Sequence, residues 1–181
     1  KVEEQIKRGV AKIFKFEAKS DLENIDLLFS NVDDPQQTMA SIIDAIMIAK
    51  ETNNSDINTS TWLELLESVK NQTDKDTKTT DKGIVIQSWR RFYRFLNLQL
   101  NSSRAFEDGI NSNNYECRLA DEVLNIEPND VFVIDVAKES EAMQAFVFGH
   151  IMREVMRLRN GEYDDSRESN KAKPDRIVIV M

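Results

Sequence analysis

Two apolar segments and the long helix between them most constrain the fold of this chain. The segments Val131–Val136 and Arg176–Met181 are rich in β-branched residues, and each follows a turn that contains proline. This composition predicts two strands. Neither segment alternates apolar with polar residues, which is typical of parallel strands covered on both faces. Between them, apolar residues recur at helical spacing from about Ser140 to Arg159. The sequence therefore predicts a parallel strand, helix, strand unit with a right-handed crossover.

The predicted helix has a wide apolar stripe and two informative glycines. Gly161 fits a C-cap, and Gly149 lowers helix propensity by about 1 kcal/mol relative to Ala. Close packing against another element would explain Gly149. The stripe consists of Met143, Val147, Ile151, Val155 and Leu158, widened by Phe146, Phe148, Met152 and Met156.

A parallel pair of buried strands needs neighbours in a larger sheet. The chain ends at Met181 within the second apolar segment, and it begins at Lys1 without an initiator Met. We therefore expect a piece of a longer α/β protein. Residues 1–126 form a mainly helical region in this interpretation, and residues 127–181 contain the strand, helix, strand unit.

The C-terminal segments resemble the HerA/FtsK-like ring ATPases, in particular the HerA-like helicases and DNA translocases. The resemblance lies in Asp130–Lys138, Gln144–His150 and Pro174–Val180. In that family, such a strand and helix precede the Walker B strand, whose apolar run leads into an acidic pair. The resemblance implies that residues 127–181 belong to a RecA/FtsK-like ATPase sheet. It also implies that residues 1–126 are a helical domain inserted between the two nucleotide-binding motifs.

The same resemblance implies a function for the parent protein. The parent would bind ATP and Mg²⁺, hydrolyse ATP as a ring of subunits and move along DNA, often with a nuclease partner. The phosphate loop would lie upstream of Lys1 and the acidic pair just after Met181. Because this chain contains no G-x-x-x-x-G-K-[ST], we expect it to hydrolyse no ATP by itself and to hold no cofactor. The alternative is a helical interaction module that docks a partner on the Arg90 helix or on the Trp62 face.

Composition limits the class of protein and its location. The formal net charge of −8 argues against nonspecific nucleic-acid binding by the surface as a whole. The single cysteine, Cys117, excludes an internal disulfide and fits a reducing compartment. No apolar run of about 18 residues and no signal peptide occur in the sequence. We expect a cytoplasmic protein without a membrane segment.

Further helices are predicted in the first 126 residues. Lys1–Glu17 fits both a helix and a strand, and we favour a helix that runs into an extended end. The polar stretch Asn71–Lys82 predicts a solvated loop. The predicted helices are a short one with a capping box at Ser20–Glu23, one that starts at Asp34 and Pro35 and ends near Glu51, one capped by Ser60 or Thr61, one after Gly83 that extends to Leu100, and a short one over Leu119–Ile126.

Asp135 and Lys138 are the candidate nucleotide-binding residues. Asp135 is the one acid within a predicted buried strand, near the carboxyl end where open α/β sheets bind ligands. It faces either a nucleotide cleft or subunit interface, or it accepts hydrogen bonds from loop amides before Ser140. Lys138 could pair with Asp135 or reach a phosphate, and its alternative is an exposed loop lysine.

Arg90, Arg91 and Arg94 form a basic cluster at helical spacing. They could contact nucleic acid or the nucleotide of a neighbouring subunit, where a guanidinium stabilises phosphoryl charge. The alternative is the solvated face of an amphipathic helix. His150 is the only histidine, so neither a zinc site nor a hydrolytic triad can be assembled around it, and we expect a structural or surface role. We expect Cys117 to be inert and the charged segment Glu162–Lys173 to be an insertion or a loop at a ring surface.

Overall fold

Helices make up most of the fold, and one small parallel sheet joins two distant parts of the chain. A computed structural model describes residues 2–7, 11–52, 56–74, 78–79, 83–106, 109, 115–126 and 128–160. At the coarse level this architecture agrees with the predicted α/β class. The elements in chain order are α1 (Val2–Lys7), β1 (Ile13–Lys15), α2 (Ala18–Asp21), a 3-10 helix (Leu22–Phe29), α3 (Thr38–Thr52), α4 (Trp62–Thr73), α5 (Ile86–Ser102), a second 3-10 helix (Arg104–Phe106), β2 (Glu116–Arg118), α6 (Leu119–Leu124) and α7 (Glu141–Asn160).

The sheet lies elsewhere than predicted. β1 pairs in parallel with β2, so that Ile13 lies opposite Glu116 and Lys15 lies opposite Arg118. Directly after β1, the N–H of Phe16 donates to the carbonyl of Ala105 at 2.8 Å. The N-terminal segment is thus a helix followed by an extended end, which confirms the favoured interpretation for its described residues.

The prediction of a buried strand at Val131–Val136 is wrong. This segment belongs to neither a helix nor a sheet, and Val131 and Val133 are 87% and 82% exposed. Ile134 and Val136 are partly buried against the core. β-branched residues favour an extended chain, but a strand also requires a neighbouring ladder, and the two described strands pair with each other. Three other predictions lie outside the described residues, namely those for Arg176–Met181, Gly161 and Glu162–Lys173.

The predicted C-terminal helix is present as α7. Its first turn is capped by Ser140, whose Oγ accepts from the N–H of Met143 at 3.2 Å. The helix packs against the 3-10 helix Leu22–Phe29 and against α6. Gly149 lies against the Leu27 side chain, which an added Cβ would meet. The close packing predicted for this glycine is therefore confirmed.

The buried face of α7 differs from the predicted apolar stripe. Met152 and Met156 are exposed, whereas His150 and Glu154 are buried. The buried positions 143, 147, 150, 154 and 158 are spaced by three or four residues and form one continuous face. Two polar residues therefore occupy core positions on this helix, and a stripe drawn from apolar residues alone is rotated away from them.

α3 is capped by Asp34, but it begins later than predicted. The Asp34 carboxylate accepts from the Thr38 hydroxyl at 2.8 Å and from the N–H of Met39 at 2.6 Å. Pro35 lies in the preceding turn, and Gln37 has a positive φ of 53°. The helix therefore begins at Thr38, because the left-handed residue interrupts helical backbone geometry before it.

Replacing Asp34 by Ala is expected to lower the free energy of unfolding by about 1 kcal/mol, because free amides at the start of α3 lose their acceptor. Asp34→Asn keeps a side-chain oxygen and should lose less. The matched control is Asp33→Ala, which removes the neighbouring acid. Urea denaturation of the three variants measures the difference. Equal losses for Asp33→Ala and Asp34→Ala would contradict the capping role.

Two other predicted helix starts have different outcomes. Thr61 caps α4 as predicted, because its Oγ1 accepts from the N–H of Glu64 at 3.1 Å. The prediction of a capping box at Ser20–Glu23 is wrong. Helical structure begins at Ala18, and the Asp21 carboxylate accepts from the N–H of Glu17 at 2.7 Å. The Asp21 carboxylate thus reaches back to the N-cap amide of a helix that begins before Ser20.

Aromatic side chains form the centre of the core. The ring of Phe16 lies edge-on to that of Phe146 at 4.8 Å, and both rings pack near Phe106. The Trp62 indole packs edge-on against Phe106 and donates from Nε1 to the carbonyl of Phe16 at 2.9 Å. β1, α4, α7 and the second 3-10 helix thus meet at one point. α5 contributes Trp89, Phe92 and Leu96 to the same core.

Candidate functional site

Two arginines of the predicted basic cluster on α5 are engaged with backbone carbonyls. Arg90 Nη2 donates to the carbonyl of Thr73 at 3.4 Å. Arg91 Nη2 donates to the carbonyl of Asp33 at 2.7 Å. The Arg91 guanidinium also lies 5.9 Å from the centre of the Phe95 ring, within the range of a cation–π interaction. These two side chains therefore tie α5 to the end of α4 and to the turn before α3.

Arg94 is exposed, as is Arg90, whereas Arg91 is partly buried. Arg94 lies one turn before Leu98, which is 61% exposed. Trp89 and Phe92, which alternate with the arginines in the sequence, are fully buried and belong to the core. Because those aromatic rings are buried, the surface of α5 offers no base-stacking platform at these two positions.

Asp135 and Lys138 lie in the exposed segment that precedes α7. Asp135 Oδ1 accepts from the N–H of Ala137 at 3.1 Å, which forms a local turn. Both side chains are exposed. The prediction that Asp135 is an acid within a buried strand is therefore wrong, because the segment itself is not buried. This geometry matches the alternative in which Asp135 accepts from loop amides before Ser140.

A buried polar cluster lies where α2, the 3-10 helix Leu22–Phe29, β2 and α7 meet. Three of its side chains, Asp21, Asn24 and His150, are at most 2% exposed. The Arg118 side chain of β2 reaches the cluster from its edge and is 21% exposed. Buried polar groups are expensive unless they are hydrogen-bonded, so this cluster requires a physical explanation.

Asp21 lies at the centre of the cluster. Its Oδ2 accepts from the N–H of Glu17. Its Oδ1 lies 3.8 Å from His150 Nε2 and 3.9 Å from Arg118 Nη2. Burial raises the pKa of Asp21 to about 6, and the Glu17 hydrogen bond and the Arg118 charge oppose this effect. Asp21 is consequently ionised at neutral pH and is half-protonated near pH 6.

His150 lies between Asp21 and the aromatic core. Its Nδ1 is 2.8 Å from the amide nitrogen of Asn24, and its ring lies edge-on to Phe16 at 5.2 Å. Burial lowers the pKa of His150 to about 4, and the nearby positive charges of Arg118, Arg157 and Arg153 lower it further. The imidazole is therefore neutral at pH 7. A neutral ring fits its apolar contacts with Phe16 and Phe146.

A second layer of charges connects α7 to the 3-10 helix Leu22–Phe29. Arg157 pairs with Glu154 on its own helix, at 3.0 Å, and with Glu23 on the 3-10 helix. Arg153 Nη1 donates to the carbonyl of Glu23 at 2.7 Å. Glu154 is only 3% exposed, so its charge needs this arginine. The two elements are thus joined by ionic contacts around the Asp21 cluster.

Cys117 lies on β2, between Glu116 and Arg118. It is half-buried, and burial together with the Glu122 charge raises the pKa of its thiol to about 11. The thiolate is the nucleophilic form, so this cysteine is a poor nucleophile at neutral pH.

Only a weak signal for the buried cluster is present in the sequence. His150 and Glu154 are four residues apart on one helix, and the predicted face of that helix passes between them. Asp21 was assigned to a capping box instead. No family-model match, sequence motif or apolar period marks these polar residues, so only the packed structure brings them together.

The fold and the cluster together define a mainly helical α/β protein with a polar site inside its core. No protein-family model, curated protein or solved structure matches this chain. Among the described helices, none has both the length and the apolar character needed to cross a bilayer. Within the described ranges, no group of three or more His, Cys, Asp or Glu side chains is arranged to hold a metal ion.

Proposed function

We propose that this chain belongs to a HerA/FtsK-like ATP-binding protein of the cytoplasm. Residues 1–126 are its helical insertion, and residues 127–181 are part of its ATPase core. The proposal rests on the order of segments in the resemblance, namely Val131–Val136, the long helix α7 and Arg176–Met181. The parent binds ATP and Mg²⁺, assembles as a ring and moves along DNA beside a nuclease.

The observation that carries the proposal is the burial pattern of Val131–Val136. Val131, Val133 and Asp135 are exposed, whereas Ile134 and Val136 are partly buried against the core. Alternate residues thus point in opposite directions at this end of the segment, as they do in a strand. Exposed apolar side chains are typical of a surface that packs against another element. This supports a place for the segment in a larger sheet.

Arg176–Met181 is the partner strand in this proposal, parallel to Val131–Val136. α7 has 20 residues and spans about 30 Å. The 15 residues from 161 to 175 can reach about 50 Å when extended, which is enough to return along the helix. Lys173 and Arg176 lie just before and at the start of the apolar run. Their charges complement that of the exposed Asp130, which lies at the corresponding end of Val131–Val136 in a parallel pairing.

Disulfide cross-linking tests this pairing. In a Cys117→Ser background, Val133→Cys is combined in turn with Ile177→Cys, Val178→Cys and Ile179→Cys. Adjacent strands bring some pairs within disulfide range, and side-chain alternation should favour one parity over the other. Leu98→Cys, also exposed, replaces Val133→Cys as the control. Cross-linking no more efficient than in the control, or disulfides only between molecules, would contradict the pairing.

The family assignment has a separate test in the coding sequence on each side of this chain. The expected result is a G-x-x-x-x-G-K-[ST] motif upstream of Lys1 and an acidic pair directly after Met181. The chain alone should show no ATP turnover in a coupled assay, since both motifs lie outside it. Absence of either flanking motif, or turnover by the chain alone, would reject the assignment.

The second candidate function is a helical protein-interaction module without nucleotide chemistry. It is favoured by the single continuous core, which includes residues from Phe16 to Val155. The Trp62 face cannot dock a partner as expected, because Trp62 is 1% exposed and fills that core. The α5 surface around Arg94 and Leu98 remains available. This function predicts that the chain is a monomer by light scattering and that it captures a partner protein in a pull-down without nucleotide. Loss of that capture in Arg94→Glu would favour it.

A further inference from the structure

Several atoms of the Asp21 cluster have no hydrogen-bond partner among the described residues. They include His150 Nε2, Asn24 Oδ1 and Arg118 Nε, the last of which lies 3.6 Å from Glu17 Oε2 without a hydrogen bond. A buried polar atom left without a partner is destabilising, because it has lost its hydrogen bonds to water. Native interiors satisfy most such atoms, either by direct contacts or by bound water. The clustering of three such atoms beside one buried carboxylate therefore indicates a binding site for a small polar molecule.

The distances around Asp21 Oδ1 are too long for direct hydrogen bonds. His150 Nε2 is 3.8 Å away and Arg118 Nη2 is 3.9 Å away, whereas an N–H···O hydrogen bond is about 2.7 to 3.2 Å long. A polar contact slightly longer than this is where a bridging water is expected. Two nitrogen donors thus face Asp21 Oδ1 at distances that a bridging water molecule spans.

The donors and acceptors at the site specify the chemistry of the occupant. With the Asn24 amide nitrogen facing Nδ1, Nδ1 accepts and the ring proton lies on Nε2. The occupant must accept from His150 Nε2 and from the Arg118 guanidinium, and it must donate to Asp21 Oδ1. A second anion is repelled by the ionised Asp21 carboxylate, and a metal cation cannot accept from the two donors. Water can both accept and donate.

We propose that one water molecule is bound in the core between Asp21 Oδ1, His150 Nε2 and Arg118 Nη2. It gives His150 Nε2 the hydrogen-bond partner that this atom lacks, within a cluster that joins α2, β2 and α7. Through this water, Arg118 of the sheet and His150 of the helix are connected to the same carboxylate. The site is lined by aromatic carbon on one side, since Phe16 and Phe146 pack on the imidazole.

A crystal structure of the full chain at a resolution that shows ordered water tests the proposal. The expected result is a solvent peak about 2.7 to 3.2 Å from all three atoms. A direct hydrogen bond between Asp21 and His150, without a solvent peak, would overturn it. Nitrogen NMR on the same protein gives an independent readout, because the neutral His150 ring should carry its proton on Nε2 and exchange magnetisation with water.

Two substitutions, Asp21→Asn and Asp21→Leu, test whether an oxygen acceptor at this position holds the water molecule. The Asn side chain keeps an oxygen acceptor, so the His150 Nε2 proton should still exchange magnetisation with water. The Leu side chain removes the acceptor, and this exchange signal should be lost. If Asp21→Leu does not fold, the Asn variant and the wild-type crystal structure still decide. Loss of the signal in Asp21→Asn, with the fold intact, would contradict a water held through an oxygen acceptor.

Discussion

Asp21→Asn and His150→Gln are expected to change the pH dependence of stability in opposite directions. The two side chains lie 3.8 Å apart in the core. Burial shifts their pKa values in opposite directions, so that the pKa of Asp21 is the higher of the two. Burial raises that of Asp21 from 3.8 to about 6 and lowers that of His150 from 6.5 to about 4. Both shifts act in the same pH window, between about 4 and 6.5.

Asp21 binds its proton more tightly in the folded state than in the unfolded state. Between pH 4 and pH 6 the folded state therefore holds more protons at this site, and stability falls as the pH rises. Each unit of pKa shift corresponds to about 1.4 kcal/mol, so Asp21 lowers the free energy of unfolding by about 3 kcal/mol across this window. Arg118 and the N–H of Glu17 already moderate this effect.

His150 has the opposite sign. Its pKa is lower in the folded state, so between pH 4 and pH 6.5 the unfolded state holds more protons and stability rises with pH. The gain is again about 3 kcal/mol. Arg118, Arg153 and Arg157 face this ring and disfavour its charged form. In the wild-type protein the two contributions nearly cancel, so the Asp21–His150 pair adds little net pH dependence.

Urea denaturation at several pH values measures the effect as a difference from wild type. Relative to wild type, the free energy of unfolding of Asp21→Asn should increase by about 3 kcal/mol from pH 4 to pH 6.5. That of His150→Gln should decrease by a similar amount. Subtracting the wild-type curve removes the contributions of surface carboxylates. Parallel curves for all three proteins would show that these residues titrate alike in the folded and unfolded states.

Phe146→Ala is expected to lower the free energy of unfolding by about 3 to 5 kcal/mol, whereas Phe132→Ala should lower it by less than about 1 kcal/mol. Phe146 is fully buried and contacts the rings of Phe16 and Phe106. Removing it leaves a cavity at the point where four elements meet. Phe132 is 43% exposed and belongs to the segment before α7.

The two substitutions remove the same atoms, so the difference between their free energies of unfolding measures the effect of burial. Thermal and urea unfolding, followed by tryptophan fluorescence, measure both variants against wild type. A loss for Phe132→Ala as large as that for Phe146→Ala would mean that Val131–Val136 is buried in solution. That outcome would restore the predicted buried strand and contradict the exposures in the structure.

The helices were largely predictable because their signals are local. α5 and α7 have apolar residues at helical spacing, and α4 has a threonine cap with a glutamate three residues later. α4 ends at Thr73, beyond the start of the predicted loop at Asn71, because Gln72 and Thr73 are polar yet buried. Periodicity of apolar residues assigns such positions to a loop, and only tertiary packing reveals that they continue a helix.

The sheet and the polar cluster could not be predicted for physical reasons. β1 and β2 have three residues each. Whether so short a segment forms a strand depends on pairing with its partner more than on its amino-acid composition. Val131–Val136 has the stronger strand composition but no described partner. Asp21, Asn24 and His150 come from separate elements, so their proximity depends on how α7 packs against the 3-10 helix.

The parallel pairing of β1 with β2 also determines when each part of the protein can fold. Ile13 finds its partner only at Glu116, beyond α3, α4 and α5. Closing a loop of this length is entropically unfavourable until the intervening helices have condensed. The α4–α5 hairpin, whose contacts are local, is therefore expected to form early. β1 should join later, once β2 is in place beside it.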